Sequence, residues 1–272
     1  EKDAPAAVNL ERTVQENSGT SAIHLGLLAL GVKPGDEVIC PTLTFCAAVN
    51  PVIYCGAVPV FVDVEPETWN LDPVLLEDAI GNRIKKTGKK PGAIIVVHLY
   101  GMPAKMTEIM RIASQYEIPV LEDAAEALGS LYKGTPLGTL GDVGVLSFNG
   151  NKIITTSGGG ALLAKKKDLL VRARYLRDQA KEPLPYYEHK EIGYNYRLSN
   201  VSAAIGRAQL KDLPDRVLKR RENFKFYQLN LGRISEISFQ REPGGHFSNR
   251  WLTTILIDGN EKVTNDALRV FL

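Results

Sequence analysis

Apolar positions along this chain change period repeatedly, and each change marks an element. From Ser21 to Leu30 they recur at helical spacing, and Gly31 ends the run. Glu37 to Cys40 reads as a short strand, and a threonine-rich loop then leads into a helix around Cys46 to Tyr54. Val58 to Val62 is a strand entered through Gly56. Pro73 to Ile80 is a helix with Asp72 at its N-cap and Pro73 at its first position. Ala93 to Val97 is an unbroken apolar run, as expected of a strand covered on both faces. Met106 to Tyr116 is a helix and Pro119 to Glu122 a buried strand. Val143 to Phe148 and Gly160 to Ala164 are further strands, and a basic amphipathic helix follows at Lys167 to Asp178. Strands alternating with helices predict an α/β fold, a mostly parallel sheet covered by helices.

The pattern shifts after Asp178. Glu182 to Tyr196 is rich in Pro, Tyr and charge and reads as a long loop. Ser199 caps a helix running to about Leu210, and a strongly charged helix continues to about Leu231. Arg250 to Ile257 is a strand, and Thr264 to Leu272 a helix. Residues 1–180 are therefore expected to form a large α/β domain, and 181–272 a connecting loop, helices and the start of a smaller one. The length of 272 residues agrees with one to two domains.

Composition narrows the function classes. Lys plus Arg is 33 and Asp plus Glu 31, a net charge of +2 that argues against a nucleic-acid partner. The basic runs at Lys85-Lys86, Lys89-Lys90 and Lys165-Lys166-Lys167 read as solvated surface. No stretch approaches the roughly 18 apolar residues of a membrane span, and the start Glu1-Lys2-Asp3 is not a signal peptide. Cys40, Cys46 and Cys55 match no zinc spacing and are expected to be buried reduced thiols in a cytoplasmic protein. The histidines are scattered and form no metal cluster.

Ligands of open α/β sheets gather at the carboxyl ends of the strands, and the conspicuous polar residues fall there. Asn17-Ser18-Gly19-Thr20-Ser21 opens a helix with small residues, hydroxyls and free N–H groups; it is either a phosphate cradle or a plain cap. Glu122-Asp123 ends a strand and could bind a metal, cap the next helix or pair with a buried cation. Ser147 ends another strand, and Lys152 follows before the glycine run Gly158-Gly159-Gly160. A lysine in that setting is a candidate for burial and altered reactivity. No GxxxxGK[ST] or GxSxG motif is present, and Gly138, Gly141 and Gly144 precede a strand where a dinucleotide fingerprint would follow one.

In order, these segments resemble the DegT/DnrJ/EryC1/StrS family of pyridoxal-phosphate-dependent sugar aminotransferases, from about Asn17 to about Arg207. The markers are Asn17 to Leu25, Pro34 to Ile39, Thr44-Phe45, Pro59 to Val64, His98 to Gly101, Glu122 to Gly129, Gly138 to Asp142, Ser147-Phe148, Lys152, Thr155 to Gly160, and Gly193 to Ser199. The resemblance implies a fold type I transferase. It implies that Lys152 forms an aldimine with the cofactor and that Asp123 pairs with its pyridine nitrogen. Phe45 would stack on the ring. Glu126, where many relatives carry Gln, would lie near the ring hydroxyl. Thr20 and Ser21 by their amides, and Ser147 by its hydroxyl, would hold the phosphate. Asn195 would reach the phosphate of the partner subunit, which implies a homodimer with shared sites. The variants around Glu126 and Lys152 look most like members that aminate C4 of UDP-linked 4-keto-6-deoxy-hexoses, with L-glutamate as donor in a ping-pong cycle.

Rival readings are C3 amination of another keto-sugar nucleotide, a dehydratase (against which Lys152 argues) and a silent regulatory protein on the same fold. His98 could touch cofactor or sugar, or be structural. Asn149 and Asn151 could face the sugar or stabilise their loop. Arg250-Trp251 could contact a nucleotide, or form a cation–π pair or core. Tyr186, Tyr187 and Tyr194 are candidate interface residues. Against the family the chain is short, so part of its small domain and sugar site is expected to be missing.

Overall fold

A computed structural model describes residues 13–257 and 264–271. Its strands are β1 (Thr13–Glu16), β2 (Glu37–Pro41), β3 (Val58–Val62), β4 (Ala93–Val97), β5 (Val120–Asp123), β6 (Leu131–Tyr132), β7 (Thr135–Pro136), β8 (Val143–Ser147), β9 (Gly160–Ala164), β10 (Ile237–Phe239), β11 (His246–Phe247) and β12 (Ile255–Ile257). Its helices are α1 (Gly19–Ala29), α2 (Asn50–Tyr54), α3 (Pro73–Thr87), α4 (Met106–Gln115), α5 (Lys167–Arg177), α6 (Asn200–Gln209), α7 (Leu213–Leu231) and α8 (Asn265–Phe271).

A seven-stranded sheet in the order β1-β9-β8-β5-β4-β2-β3 organises the molecule. β3, β2, β4, β5 and β8 run parallel, and β9 alone is reversed, pairing antiparallel with β8 on one side and β1 on the other. The expected mostly parallel α/β sheet is thus present. Successive side chains of a strand point to opposite faces, which explains the unbroken apolar run of β4. Ile94 and Val96 pack with Leu76 and Ile80 of α3 and Ile109 and Ile112 of α4. Ile95 and Val97 pack with Ile23 and Leu27 of α1 and Leu170 and Leu176 of α5. Covering both faces demands apolar residues at every position.

Several local expectations need correction. β1 has no counterpart in the expected elements, because Val14 is the one apolar residue in Thr-Val-Gln-Glu although Thr13 and Glu16 are buried too; it pairs with β9 from Thr13↔Leu163 to Glu16↔Gly160. The Cys46–Tyr54 helix is a 3₁₀ turn over Cys46–Ala48 followed by α2, because Pro51 can donate no N–H to a continuous helix. α3 runs past Ile80 to Thr87, with Lys85 and Lys86 in its last turn and Gly88 (φ 71°) closing it in the left-handed region. The Arg250–Ile257 strand shrinks to β12, since Arg250 turns the chain at φ 50°. Cys40 and Cys55 are buried, but Cys46 is exposed on its 3₁₀ turn. The start of the Thr264–Leu272 helix is seen as α8; Leu272 and residues 1–12 lie outside the described residues.

Candidate functional site

The carboxyl ends of β5 and β8 deliver Asp123 and Ser147, and the N-terminus of α1 faces them. Ser18 caps α1: its Oγ accepts from Ser21 N at 3.0 Å, and its carbonyl accepts from Ala22 N at 3.2 Å. The Ser21 amide is therefore engaged, and Ser21 Oγ donates to Asn17 Oδ1 at 2.6 Å. Among the described residues the amides of Gly19 and Thr20 have no acceptor. Gly19 is glycine because a Cβ there would stand 3.0 Å from Ser147 Cβ and 3.3 Å from its Oγ. A hydroxyl and unengaged helix amides thus share one cradle, a ready anion site.

Beside it, Asp123 is 7% exposed; its Oδ1 accepts from Ala125 N at 3.1 Å, and no partner for Oδ2 is found among the described residues. The carboxyl is raised to about 6, chiefly by burial and in part by Glu126, against the opposing pull of the Ala125 N–H and Lys152. A buried carboxylate with an open oxygen suits a protonated ring nitrogen. Lys152 Nζ lies 3.5 Å from Glu126 Oε1, and Glu126 Oε2 accepts from Tyr100 N at 2.7 Å. Asp123, Glu126, Ser147, Lys152 and Thr20 are thus brought to one end of the sheet.

Glu122, next to Asp123, has a different role. It is fully buried and accepts from the backbone N–H groups of Gly138, Leu140 and Gly141. His98 Nε2 lies 2.9 Å from its Oε2, while His98 Nδ1 accepts from Ala104 N at 3.1 Å. A ring nitrogen that accepts carries no proton, so His98 is a neutral imidazole donating to Glu122. Burial alone would raise the Glu122 carboxyl; these donors overcome it and hold it below the usual range. His98 is therefore structural. Both Glu122 oxygens are thus committed to these donors rather than open to a metal ion.

Phe45 is 68% exposed at the mouth of the β2 loop. Asn195 is exposed, and its carbonyl accepts from Asn17 Nδ2 at 3.4 Å, just before the α1 cap. Asn149 and Asn151 are exposed, with Asn149 Nδ2 3.4 Å from Asn151 Oδ1. Tyr186 and Tyr187 are exposed, whereas Tyr194 stacks on Tyr196 with ring centroids 5.0 Å apart.

The Arg250-Trp251 pair splits. Arg250 is buried against the Phe224 ring, with Nη1 donating to Gln240 O at 3.0 Å and Nη2 3.7 Å from Glu242, so it is not a nucleotide contact. Trp251 turns the other way: its ring centroid lies 4.2 Å from Lys152 Nζ. Asn249, which no sequence pattern singled out, donates from Nδ2 to the carbonyls of Glu126 and Leu128, each at 2.9 Å. The only signal for these residues was the isolated tryptophan itself.

The profile of the DegT/DnrJ/EryC1/StrS aminotransferase family matches residues 1–272. EpsN of Bacillus subtilis (strain 168), provisionally described as a pyridoxal phosphate-dependent aminotransferase, is 49% identical over 258 residues, covering 95% of this chain and 66% of its own. GDP-perosamine synthase of Caulobacter vibrioides (strain ATCC 19089 / CIP 103742 / CB 15) is 45% identical over 255 residues, covering 93% and 66%. The crystal structure of S. venezuelae DesV in complex with a ketimine intermediate superposes with a TM-score of 0.85 at 33% identity, covering 95% of this chain and 66% of that one. The chain spans just under two thirds of the length of the curated relatives it matches. With its profile matched throughout, this chain belongs to the DegT/DnrJ/EryC1/StrS aminotransferase family.

Proposed function

We propose that the protein is a pyridoxal-phosphate-dependent transaminase. In this reading it moves an amino group from L-glutamate to the C4 keto group of a nucleotide-linked 4-keto-6-deoxy-hexose. The carrying observation is Lys152 Nζ, 3.5 Å from Glu126 and beside an Asp123 whose Oδ2 is open. The residues fit the cofactor. Lys152 would hold it covalently, Asp123 would face its ring nitrogen, and Glu126 its ring hydroxyl. The amides of Gly19 and Thr20 with the Ser147 hydroxyl would hold its phosphate, Ser21 serving through its place in the cap. Phe45 is free to cover the ring, and Asn195 to reach a partner subunit's phosphate in a homodimer. When bound, the cofactor supplies an electron sink conjugated to the migrating amine.

The chain's own groups then divide the work. Asp123, as a carboxylate, would pair with the ring nitrogen and stabilise a proton there. Lys152 Nζ, once freed, moves a proton at the reacting carbon. Tyr100 N fixes Glu126, and Glu126 orients Lys152. L-glutamate leaves as 2-oxoglutarate, and the keto sugar takes up the amine in the second half of the cycle. The motif resemblance favours UDP as the carrier. The likeness to a protein named GDP-perosamine synthase makes GDP the second reading, and C3 amination is the regiochemical alternative. Incubating the protein with pyridoxal phosphate, L-glutamate and a panel of UDP-, GDP- and dTDP-linked keto sugars, read by mass spectrometry, should yield a 4-amino product. Lys152→Ala should lower that yield by about 100-fold or more. No amino product from any sugar, or an unaffected Lys152→Ala variant, contradicts the reading.

A further inference from the structure

Trp251 lies about a third of the chain beyond Lys152, yet it is built into the lysine's surroundings on several sides. It is buried, and its ring centroid stands 4.2 Å from Lys152 Nζ. Its indole Nε1 donates to the carbonyl of Asn151, the residue before Lys152, at 2.9 Å. Its backbone N donates to Asn249 Oδ1 at 2.9 Å. The same Asn249 side chain grips the Glu126 carbonyl at 2.9 Å, and Asn249 N donates to Ser130 Oγ at 2.8 Å. Glu126 in turn stands 3.5 Å from Lys152 Nζ. Lys152 is therefore bracketed: a carboxylate on one side, an aromatic face on the other, and one asparagine tying the two supports together. Both Lys152 and Glu126 are nearly buried, at 12% and 11% side-chain exposure, where water screens such contacts least.

We propose that Trp251 is a positioning residue for Lys152, its ring face and indole N–H holding the lysine amine against Glu126 and toward the cofactor site. The proposal rests on the assignment of Lys152 as the reactive amine; the contact itself does not. An aromatic face attracts a cation, whereas an aliphatic side chain of comparable bulk only fills space. Phe at this position keeps the face and loses the N–H; Leu loses both.

The test is a double-mutant cycle on the cofactor-free protein, read by thermal unfolding. W251L should lower Tm more in the Lys152 chain than in the K152M background, by roughly 2–4 °C. W251F should keep most of that difference. A second measurement needs no change at Trp251. The chain has two tryptophans, so in W69F the indole emission comes from Trp251 alone. K152M in that background should change its intensity or wavelength. As a functional arm, capture of pyridoxal phosphate followed by borohydride reduction should slow about tenfold in W251L and much less in W251F. Equal Tm losses in both backgrounds, or an indole emission indifferent to K152M, would overturn the proposal. If the unmutated protein captures no pyridoxal phosphate, the transaminase reading fails while the cycle still reports on the contact.

Discussion

Glu122 and Glu16 are both fully buried carboxyls near the ends of strands in one sheet, yet they reach opposite protonation states. Glu122 sits at the centre of the sheet, where Gly138, Leu140, Gly141 and His98 all donate to it, and it stays ionised. Glu16 sits on the edge strand β1; neither of its oxygens has a partner among the described residues. Burial pushes it up to about 9; Arg177 lowers it and Asp178 raises it. Donors, not depth, decide whether a buried carboxyl keeps its charge. The same rule separates the two carboxyls at the β5 end. Glu122 commits its oxygens to the loops that shape the site, and Asp123 keeps one open.

Removing the well-partnered acid should do most damage. Glu122→Leu would orphan the loop N–H groups and His98 Nε2, and should cost about 3 kcal/mol or more in denaturant unfolding. A loss below about 1 kcal/mol would show that those donors find other partners.

Removing the unpartnered acid should act with the opposite sign. An unfolded Glu ionises near 4.5, and native Glu16 only near 9. Between those values the native state binds the extra proton, so its contribution falls as pH rises. Glu16→Leu should therefore stabilise the protein by about 2 kcal/mol at pH 8, and the gain should shrink toward pH 4.5. A pH-independent difference would break the comparison.

The same neighbourhood holds a smaller lever. His24 is buried among Tyr54, Tyr194 and Tyr196, its Nε2 without a partner among the described residues, and burial lowers it to about 4. The unfolded state binds the proton first, so this stability is present above pH 6.5 and lost as pH falls toward 4. His24→Phe should flatten that acid limb by roughly 1–2 kcal/mol. Smallest of all, Ser18→Ala removes the α1 cap and should cost about 1 kcal/mol in denaturant unfolding.

What the sequence disclosed follows from the same physics. The parallel core was legible because a strand covered on both faces must be apolar throughout, as β4 is. Asp123 and Lys152 stood out as candidates because a strand end and a glycine run mark where a sheet opens to ligands, whereas Glu126 came only from the family resemblance. β1 was not legible, since only Val14 in Thr13–Glu16 is strongly apolar and the buried Thr13 and Glu16 are polar. Trp251 was ambiguous because its meeting with Lys152 depends on the turn at Arg250, which sends adjacent side chains to opposite sides. No local pattern reports a contact made across such a separation.

The central claim is that Lys152 is the amine that takes up the cofactor. Incubating the purified protein with pyridoxal phosphate, reducing with borohydride and mapping peptides by mass spectrometry tests it directly. A pyridoxyl label confined to Lys152, and lost when L-glutamate is added before reduction, is the expected result. A label spread over other lysines, or none at Lys152, would contradict it.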